Sequence, residues 1–188
     1  MRAPAPMPAP RGIDGWRPAA RADDLVVTRW SARFRGRQLP CAHGRGGFRA
    51  DKREGDGATP ICITHLRRIW RPARSADPGG CVPCGPIGPD LGWGDDPDRP
   101  GYNAPVALSG RGAKLGAERM LRPDPLYALA VESGWNADTP APGGGSAIFL
   151  HVWRSPRFPT AGCIAFREAD LRWILTRWTP RSRVILKG

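Results

Sequence analysis

A chain of 188 residues is long enough for one domain with its own hydrophobic core, and no apolar run in it approaches the roughly 20 residues of a membrane-spanning helix. Glycine (24 residues) and proline (22 residues) are abundant, which favours short strands joined by turns over a helical bundle. The net charge of +12 indicates either an anionic partner or a solvated arginine-rich surface. Because the arginines are dispersed and form no dense basic stripe, we expect no specific binding of nucleic acid.

The first third of the chain alternates between polar segments and short apolar ones. Residues 1–22 are rich in proline, alanine and arginine and predict a disordered leader, so that 23–188 form the single folded domain. The leader contains no apolar segment typical of a secretory signal. Leu25–Trp30 (LVVTRW) predicts a first strand, the glycines and charges of Cys41–Pro60 predict a long loop or tight turns, and Ile61–Trp70 predicts a second extended segment.

The remaining elements complete a mainly β prediction. Residues 71–101 contain many prolines and predict an irregular segment, which in a compact domain is a lid, a binding loop or an insertion. Leu126–Val131 and Ala147–Val152 are apolar runs between turn-forming residues and predict buried strands. Glu168–Trp178 has apolar residues at helical spacing and predicts an amphipathic helix, and Arg183–Leu186 predicts a closing strand.

The cysteines do not indicate a metal site. Cys81 and Cys84 form a CxxC pair within a proline-rich stretch, and no second pair follows at a spacing that would complete a zinc site. Asp95, Asp96 and Asp98 lack the distal glutamate of an EF-hand loop. We therefore expect no metal and interpret the CxxC pair as incidental loop cysteines.

One histidine and one cysteine have the spacing of a nucleophile and its base. His151 ends a predicted strand, where its side chain is held rigidly and can still face a cleft, and Cys163 follows twelve residues later. A nucleophilic cysteine needs a base within reach and backbone N–H groups that hold the oxyanion. Gly162 permits a tight turn that presents such N–H groups. Alone, this pair is a weak indication, because a structural cysteine and histidine are the more common explanation.

Three segments in order strengthen the interpretation. Gly44–Pro60 (GRGGFRADKREGDGATP), Trp93–Asn103 (WGDDPDRPGYN) and the stretch from His151 to Cys163, with Thr160 before the Gly-Cys pair, resemble the L,D-transpeptidase catalytic domain (the YkuD-type domain) of bacterial peptidoglycan enzymes. The resemblance covers nearly all of the chain after the leader. It implies a mainly β fold, a β-sandwich or barrel with one or two peripheral helices.

The resemblance also implies a reaction. Cys163 would attack the bond between the L-centre and the terminal D-residue of a peptidoglycan stem tetrapeptide, with His151 as general base and acid and Gly162 in the oxyanion turn. The resulting thioester would pass to an amine of a second stem and form a 3–3 cross-link in cell wall biogenesis. Such an enzyme needs no cofactor. We expect a monomer that acts in the periplasm or cell envelope, although no signal peptide is visible.

Two departures from the family pattern affect substrate positioning. Where the family commonly has an arginine two residues after the cysteine, this chain has Ala165, and Arg167 is the candidate replacement. Cys62 takes the place of a glycine after the Thr-Pro pair. The residues predicted to bind substrate are therefore Thr160, Arg167, Tyr102 and Asn103.

Two alternatives remain open on the sequence. The same thioester resolved by water would make the enzyme an L,D-carboxypeptidase or amidase that trims the wall. A non-catalytic basic module that binds wall polymer or nucleic acid would show salt-dependent binding without any need for Cys163.

Overall fold

The computed structural model describes residues 19–110 and 117–188, and within them the chain is mainly β, as predicted. One α-helix, α1 (Glu168–Leu175), and one short 3-10 helix (Pro125–Ala128) interrupt the strands. In chain order the strands are β1 (Leu25–Val27), β2 (Ala32–Phe34), β3 (Arg37–Leu39), β4 (Cys41–Ala42), β5 (Phe48–Arg49), β6 (Thr59–Pro60), β7 (Cys62–Thr64), β8 (Leu66–Pro72), β9 (Cys84–Ile87), β10 (Leu91–Trp93), β11 (Pro105–Ala107), β12 (Glu118–Arg119), β13 (Ala130–Ser133), β14 (Phe149–Val152), β15 (Ile164–Phe166) and β16 (Val184–Leu186).

Two large sheets share one hydrophobic core. The first sheet has five strands in the order β3-β2-β1-β16-β7, and the second has six in the order β4-β15-β14-β13-β8-β9. Apolar side chains from both sheets pack in one cluster with the buried face of α1, which consists of Leu171, Ile174 and Leu175. Because each strand is short, this shared burial rather than strand length stabilises the sheets.

Strand β14 of the second sheet is buried on both faces, so its side chains contribute to two hydrophobic clusters. Successive side chains of a strand point to opposite faces, so Leu150 and Val152 join the main core while Phe149 and His151 face the other way. On that side Phe149 packs edge-on against Trp93, with their ring centroids 4.8 Å apart. Trp93 belongs to β10 of a three-stranded sheet in the order β11-β10-β12. The smaller sheet thereby covers one face of the larger one and leaves a cleft at its edge.

Several predicted elements are confirmed with shorter bounds. The predicted strands Leu25–Trp30, Ala147–Val152 and Arg183–Leu186 contain β1, β14 and β16, and the segment Ile61–Trp70 contains β7 and most of β8. The predicted helix ends at Leu175 instead of Trp178, but Trp178 is buried in the main core, as its spacing indicated. The helix places Glu168 and Asp170 in its first turn, where negative charge stabilises a helix.

Two predictions are wrong in part. Residues 71–101 are not wholly irregular, because β9 and β10 lie within them. Only the end of Leu126–Val131 is a strand, since the 3-10 helix occupies its start. The predicted leader falls largely on residues 1–18, which lie outside the described residues. No helix among the described residues is long and apolar enough to cross a membrane.

We predict that Asp24 stabilises the pairing of β1 with β16. Its buried carboxylate accepts hydrogen bonds from Arg183 Nη2 at 2.6 Å and from the Arg21 N–H at 2.8 Å. Burial alone would raise the pKa of Asp24, but these hydrogen bonds and the charge of Arg183 hold that pKa well below its usual range. Asp24→Asn should lower the free energy of unfolding at pH 7 by about 3 kcal/mol.

The contribution of Asp24 to the free energy of unfolding should depend on pH in a defined direction. A depressed carboxyl pKa contributes stability above the pKa of the unfolded chain and loses it as the pH falls. In urea unfolding at pH 7 and at pH 3, the gap between wild type and Asp24→Asn should therefore shrink at the lower pH. Asp51→Asn, at an exposed ion pair with Arg49, is the matched control and should leave the midpoint nearly unchanged. Equal stability of wild type and Asp24→Asn at pH 7 would contradict the prediction.

Candidate active site

A cleft of about 460 Å³ opens beside the second core. Four of the residues predicted for the site, His151, Thr160, Gly162 and Cys163, lie in its wall. His151 comes from β14, and the other three come from the segment that leads into β15. The structure thus brings the predicted nucleophile and the predicted base into one cleft.

Parallel pairing of β14 and β15 places the two side chains on the same face. Leu150 pairs with Ile164 and His151 pairs with Ala165. One step back in this register Cys163 lies beside Phe149, whose N–H donates to Cys163 Sγ at 3.4 Å. Because side chains alternate along strands, Cys163 emerges on the same face as Phe149 and His151. The eleven residues between His151 and Cys163 in sequence include the crossover that this parallel pair requires.

The imidazole of His151 is held in one tautomer. Its Nδ1 lies 2.7 Å from the carbonyl oxygen of Val152, and because a carbonyl can only accept, Nδ1 carries the proton. The other nitrogen, Nε2, is then unprotonated and able to accept a proton. The ring of Tyr127 packs edge-on against the imidazole with centroids 5.7 Å apart. A backbone carbonyl and an aromatic ring therefore orient the base.

The thiol of Cys163 is also held by backbone groups. Sγ donates to the carbonyl oxygen of Ala147 at 3.0 Å while it accepts the Phe149 N–H. Ala147 has a φ of +51°, unusual for alanine, and its N–H donates to Asn103 Oδ1 at 3.0 Å. Asn103 thus fixes the backbone turn at Ala147, whose carbonyl oxygen accepts the hydrogen bond from the thiol of Cys163.

Burial keeps both groups of the pair uncharged at rest. It raises the pKa of Cys163 to about 12. It lowers the pKa of His151 to about 4, with a further contribution from the charge of Arg122. At neutral pH the site therefore holds a thiol and a neutral imidazole rather than a thiolate–imidazolium pair. If Cys163 is the nucleophile, as predicted, its proton has to leave as the sulfur attacks.

A tight turn before Cys163 is fixed by Thr160. The Thr160 hydroxyl accepts the Gly162 N–H at 3.1 Å and donates to the Cys163 carbonyl oxygen at 2.6 Å. Gly162 has a φ of +145°, and a Cβ there would lie 2.9 Å from the Ala58 carbonyl oxygen. Glycine is thus required at this position by both conformation and space.

The turn leaves backbone donors available. Gly162 N–H is engaged by Thr160, whereas the N–H groups of Ala161 and Cys163 have no hydrogen-bond acceptor among the residues that the structure describes. Gly162 therefore contributes to the turn through its conformation, and its part in binding an oxyanion stays a prediction.

Thr59 connects this turn to the glycine-rich segment. Its fully buried hydroxyl donates to the Gly162 carbonyl oxygen at 2.8 Å and accepts the Gly44 N–H at 2.9 Å. A Cβ at Gly44 would lie only 2.3 Å from the Gly57 carbonyl oxygen, so glycine is needed for this close approach. Two of the three segments that carry the family resemblance meet at this one hydroxyl.

The remaining predicted substrate residues lie away from the cleft wall. Arg167 precedes α1 and forms an ion pair with Asp170 at 3.0 Å. Tyr102 donates to Glu54 Oε2 at 2.6 Å, and the Asn103 side chain bonds to backbone groups and to Trp93. None of Arg167, Tyr102 and Asn103 lines the cleft, so their contact with substrate stays a prediction.

The cleft contains residues that sequence reasoning overlooked. Tyr127 donates to Glu118 Oε1 at 2.6 Å, and the Arg122 guanidinium lies 5.3 Å from the centre of the Tyr127 ring. Burial raises the pKa of Glu118, although the hydrogen bond from Tyr127 opposes the shift. Glu118 comes from β12, Tyr127 from the 3-10 helix and Arg122 from the link between them, and none of these segments has a recognisable motif. Only the pairing of β10 with β12 brings them to the site.

Within the described residues no group of three or more histidine, cysteine, aspartate or glutamate side chains could hold a metal ion. All five cysteines are free thiols, and Cys81 donates to the Trp178 carbonyl oxygen at 3.3 Å instead of pairing with Cys84.

A mainly β protein with a thiol and an imidazole in one cleft defines the class, and comparison with known families identifies it. Residues 23–186 match the family model of the YkuD L,D-transpeptidase catalytic domain. The chain belongs to this family, which acts on peptidoglycan. Comparison with curated proteins and with solved structures gives no significant match.

We predict that Thr59→Val destabilises the protein and loosens the turn at Cys163. Valine keeps the shape but leaves the Gly162 carbonyl and the Gly44 N–H unpaired in a buried place. The free energy of unfolding should fall by about 2 to 4 kcal/mol. Thr139→Val, at an exposed position, is the matched control. Urea unfolding measures both, and equal midpoints for the two variants would refute the role of Thr59.

We also predict a steep pH dependence for alkylation of Cys163. With a thiol pKa of about 12, only roughly one molecule in ten thousand is a thiolate at pH 8. The iodoacetamide rate should rise about tenfold per pH unit from pH 6 to pH 9. Peptide mass spectrometry follows each cysteine separately, and the exposed Cys81 should react faster than Cys163 throughout. A rate plateau between pH 6 and pH 8 would instead indicate a preformed thiolate.

Proposed function

We propose that the chain is an L,D-transpeptidase that transfers the acyl group of a peptidoglycan stem tetrapeptide through a thioester on Cys163. The observation that carries the proposal is the shared face of β14 and β15, on which Cys163 and His151 both emerge into one cleft, with Nε2 of His151 unprotonated and able to accept a proton. Membership of the family supplies the substrate class. The availability of the Cys163 N–H adds support for acyl chemistry.

The first step forms the thioester. Cys163 Sγ attacks the carbonyl carbon that joins the L-centre to the terminal D-residue, and its proton passes to His151 Nε2. The carbonyl oxygen becomes an oxyanion that accepts a hydrogen bond from the Cys163 N–H. When the tetrahedral intermediate collapses, the carbon–nitrogen bond breaks and the leaving amine takes the proton from His151. Terminal D-alanine departs and the acyl group remains on sulfur.

The second step transfers the acyl group to an amine. The amine of a second stem attacks the thioester carbonyl and gives its proton to His151 Nε2, which returns it to the departing sulfur. The product is a 3–3 cross-link, and the protein is restored without a cofactor. Glu54, Asp95 and Glu118 in the cleft wall attract the amine in its cationic form, and this favours transfer over hydrolysis by water; the ammonium loses one proton to solvent before the neutral amine attacks. We place the reaction at the cell envelope, where the wall polymer lies.

Purified muropeptides that carry tetrapeptide stems test the reaction. Wild type should release D-alanine and yield cross-linked dimers, detected by mass spectrometry. Cys163→Ala should abolish both products because no nucleophile remains, and His151→Gln should lower the rate by about a hundredfold or more because the base is lost. Tripeptide without dimer would identify the hydrolytic alternative.

Two controls keep the result interpretable. Circular dichroism must show that Cys163→Ala and His151→Gln remain folded. Cys81→Ser removes an exposed thiol outside the cleft and should retain full activity. Turnover by folded Cys163→Ala would contradict the thioester, and a folded wild type that leaves all muropeptides unchanged would contradict the proposed activity.

A further inference from the structure

The cations in the cleft wall divide into two kinds. Lys52 and Arg122 already have carboxylate partners, because Lys52 Nζ lies 2.6 Å from Asp56 and Arg122 Nη2 lies 2.8 Å from Asp124. Arg45 and Arg154 also line the cleft, but no described residue accepts a hydrogen bond or forms an ion pair with either guanidinium. Carboxylates of Glu54, Asp95 and Glu118 share the cleft wall, but neither of these two guanidinium groups is hydrogen-bonded or ion-paired to a described residue.

Both free arginines are placed by the segment that carries the nucleophile. The Arg45 N–H donates to the Thr160 carbonyl oxygen at 2.9 Å, and the Arg45 side chain lies over Gly57, which leaves room for it. Arg154 follows β14 three residues after His151. Its guanidinium lies 5.3 Å from the centre of the Phe158 ring, in the same segment that ends at Cys163. The Arg45 backbone therefore contacts the Thr160–Cys163 turn directly, and Arg154 lies against the segment that leads into it.

Strand β15, which forms the floor of the cleft, contributes no positively charged side chain to it. Ala165 is fully buried directly beside His151, and Arg167 is turned to Asp170 on α1. Any negative group on a substrate bound at Cys163 must therefore find its counter-charge on the rim. An arginine guanidinium recognises a carboxylate with two parallel hydrogen bonds, which gives direction as well as attraction.

We infer that Arg45 and Arg154 bind a carboxylate of the donor peptide and so select peptides that end one residue beyond the bond cleaved. The inference rests on the proposed function. A single residue spans at most about 3.5 Å, so the terminal carboxylate of such a donor lies within arginine reach of the carbonyl that Cys163 attacks. A side-chain carboxylate of the stem is the other source of the same chemistry, and the experiment distinguishes the two.

The test combines variants of the protein with variants of the peptide. Thioester formation is followed by intact-protein mass spectrometry for wild type, Arg45→Gln, Arg154→Gln and the double variant. Each protein is assayed with three peptides: the free tetrapeptide, its C-terminal amide, and a tetrapeptide amidated at a side-chain carboxylate instead. Arg33→Gln, at an exposed position on β2 outside the cleft, is the matched control and should behave as wild type.

We expect the double variant to lose at least about tenfold in kcat/KM on the free tetrapeptide. C-terminal amidation of the peptide should lower kcat/KM of wild type by a similar factor. It should change kcat/KM of the double variant little, because the two changes remove the same interaction. If only side-chain amidation shows this coupling, the carboxylate bound is the side-chain one and selection for peptide length is refuted. Independent, multiplicative effects of both amidations would overturn the inference altogether.

Binding separates this inference from the reaction itself. In Cys163→Ala protein, calorimetry with the free tetrapeptide should show a dissociation constant that rises at least fivefold on adding Arg45→Gln and Arg154→Gln, and that rises with salt. Such binding without thioester formation by wild type would leave the carboxylate site standing while the proposed activity fails. Thioester formation that is unaffected by the arginine variants would leave the activity standing while this inference fails.

Discussion

The buried hydroxyl of Thr59 is the contact on which the site depends. It donates to the carbonyl before Cys163 and accepts from the N–H of Gly44, so one oxygen joins two segments more than a hundred residues apart in the chain. The close approach of Gly44 to the backbone at Gly57 leaves no space for a side chain. With Thr160 closing the turn from its other side, the nucleophile is held by backbone geometry rather than by its own packing.

Strand pairing then determines how the pair of reacting groups behaves. Parallel neighbours on a sheet that is buried on both faces bring Cys163 and His151 together, and the same burial disfavours any charge on either. A resting thiol beside a neutral imidazole resists adventitious oxidation and alkylation, because the thiolate is the reactive form. Under the proposed reaction, substrate would do part of the activation by placing its carbonyl oxygen at the Cys163 N–H as sulfur loses its proton.

The sequence predicted the parts of the site that are local and left out the parts that depend on topology. His151, Gly162 and Cys163 lie within one short stretch, and the strand and the helix around them have clear periodicity. In contrast β9 (CGPI) has glycine and proline where strands prefer β-branched residues, and it pairs in parallel with β8, where Gly85 lies against Trp70. Glu118 and Tyr127 reach the cleft because the three-stranded sheet forms, and no local sequence pattern predicts that sheet.

The distribution of charge follows from the neutral pair. A guanidinium on the floor at Ala165 would be buried, at a cost in desolvation, and would lower the pKa of His151 further by repulsion, as Arg122 already does. Arginines on the rim stay hydrated until a ligand arrives, so they do not weaken the base at rest. In this chain small apolar residues lie beside Cys163 and His151, and arginines without an ion-pair partner among the described residues lie at the edge of the cleft.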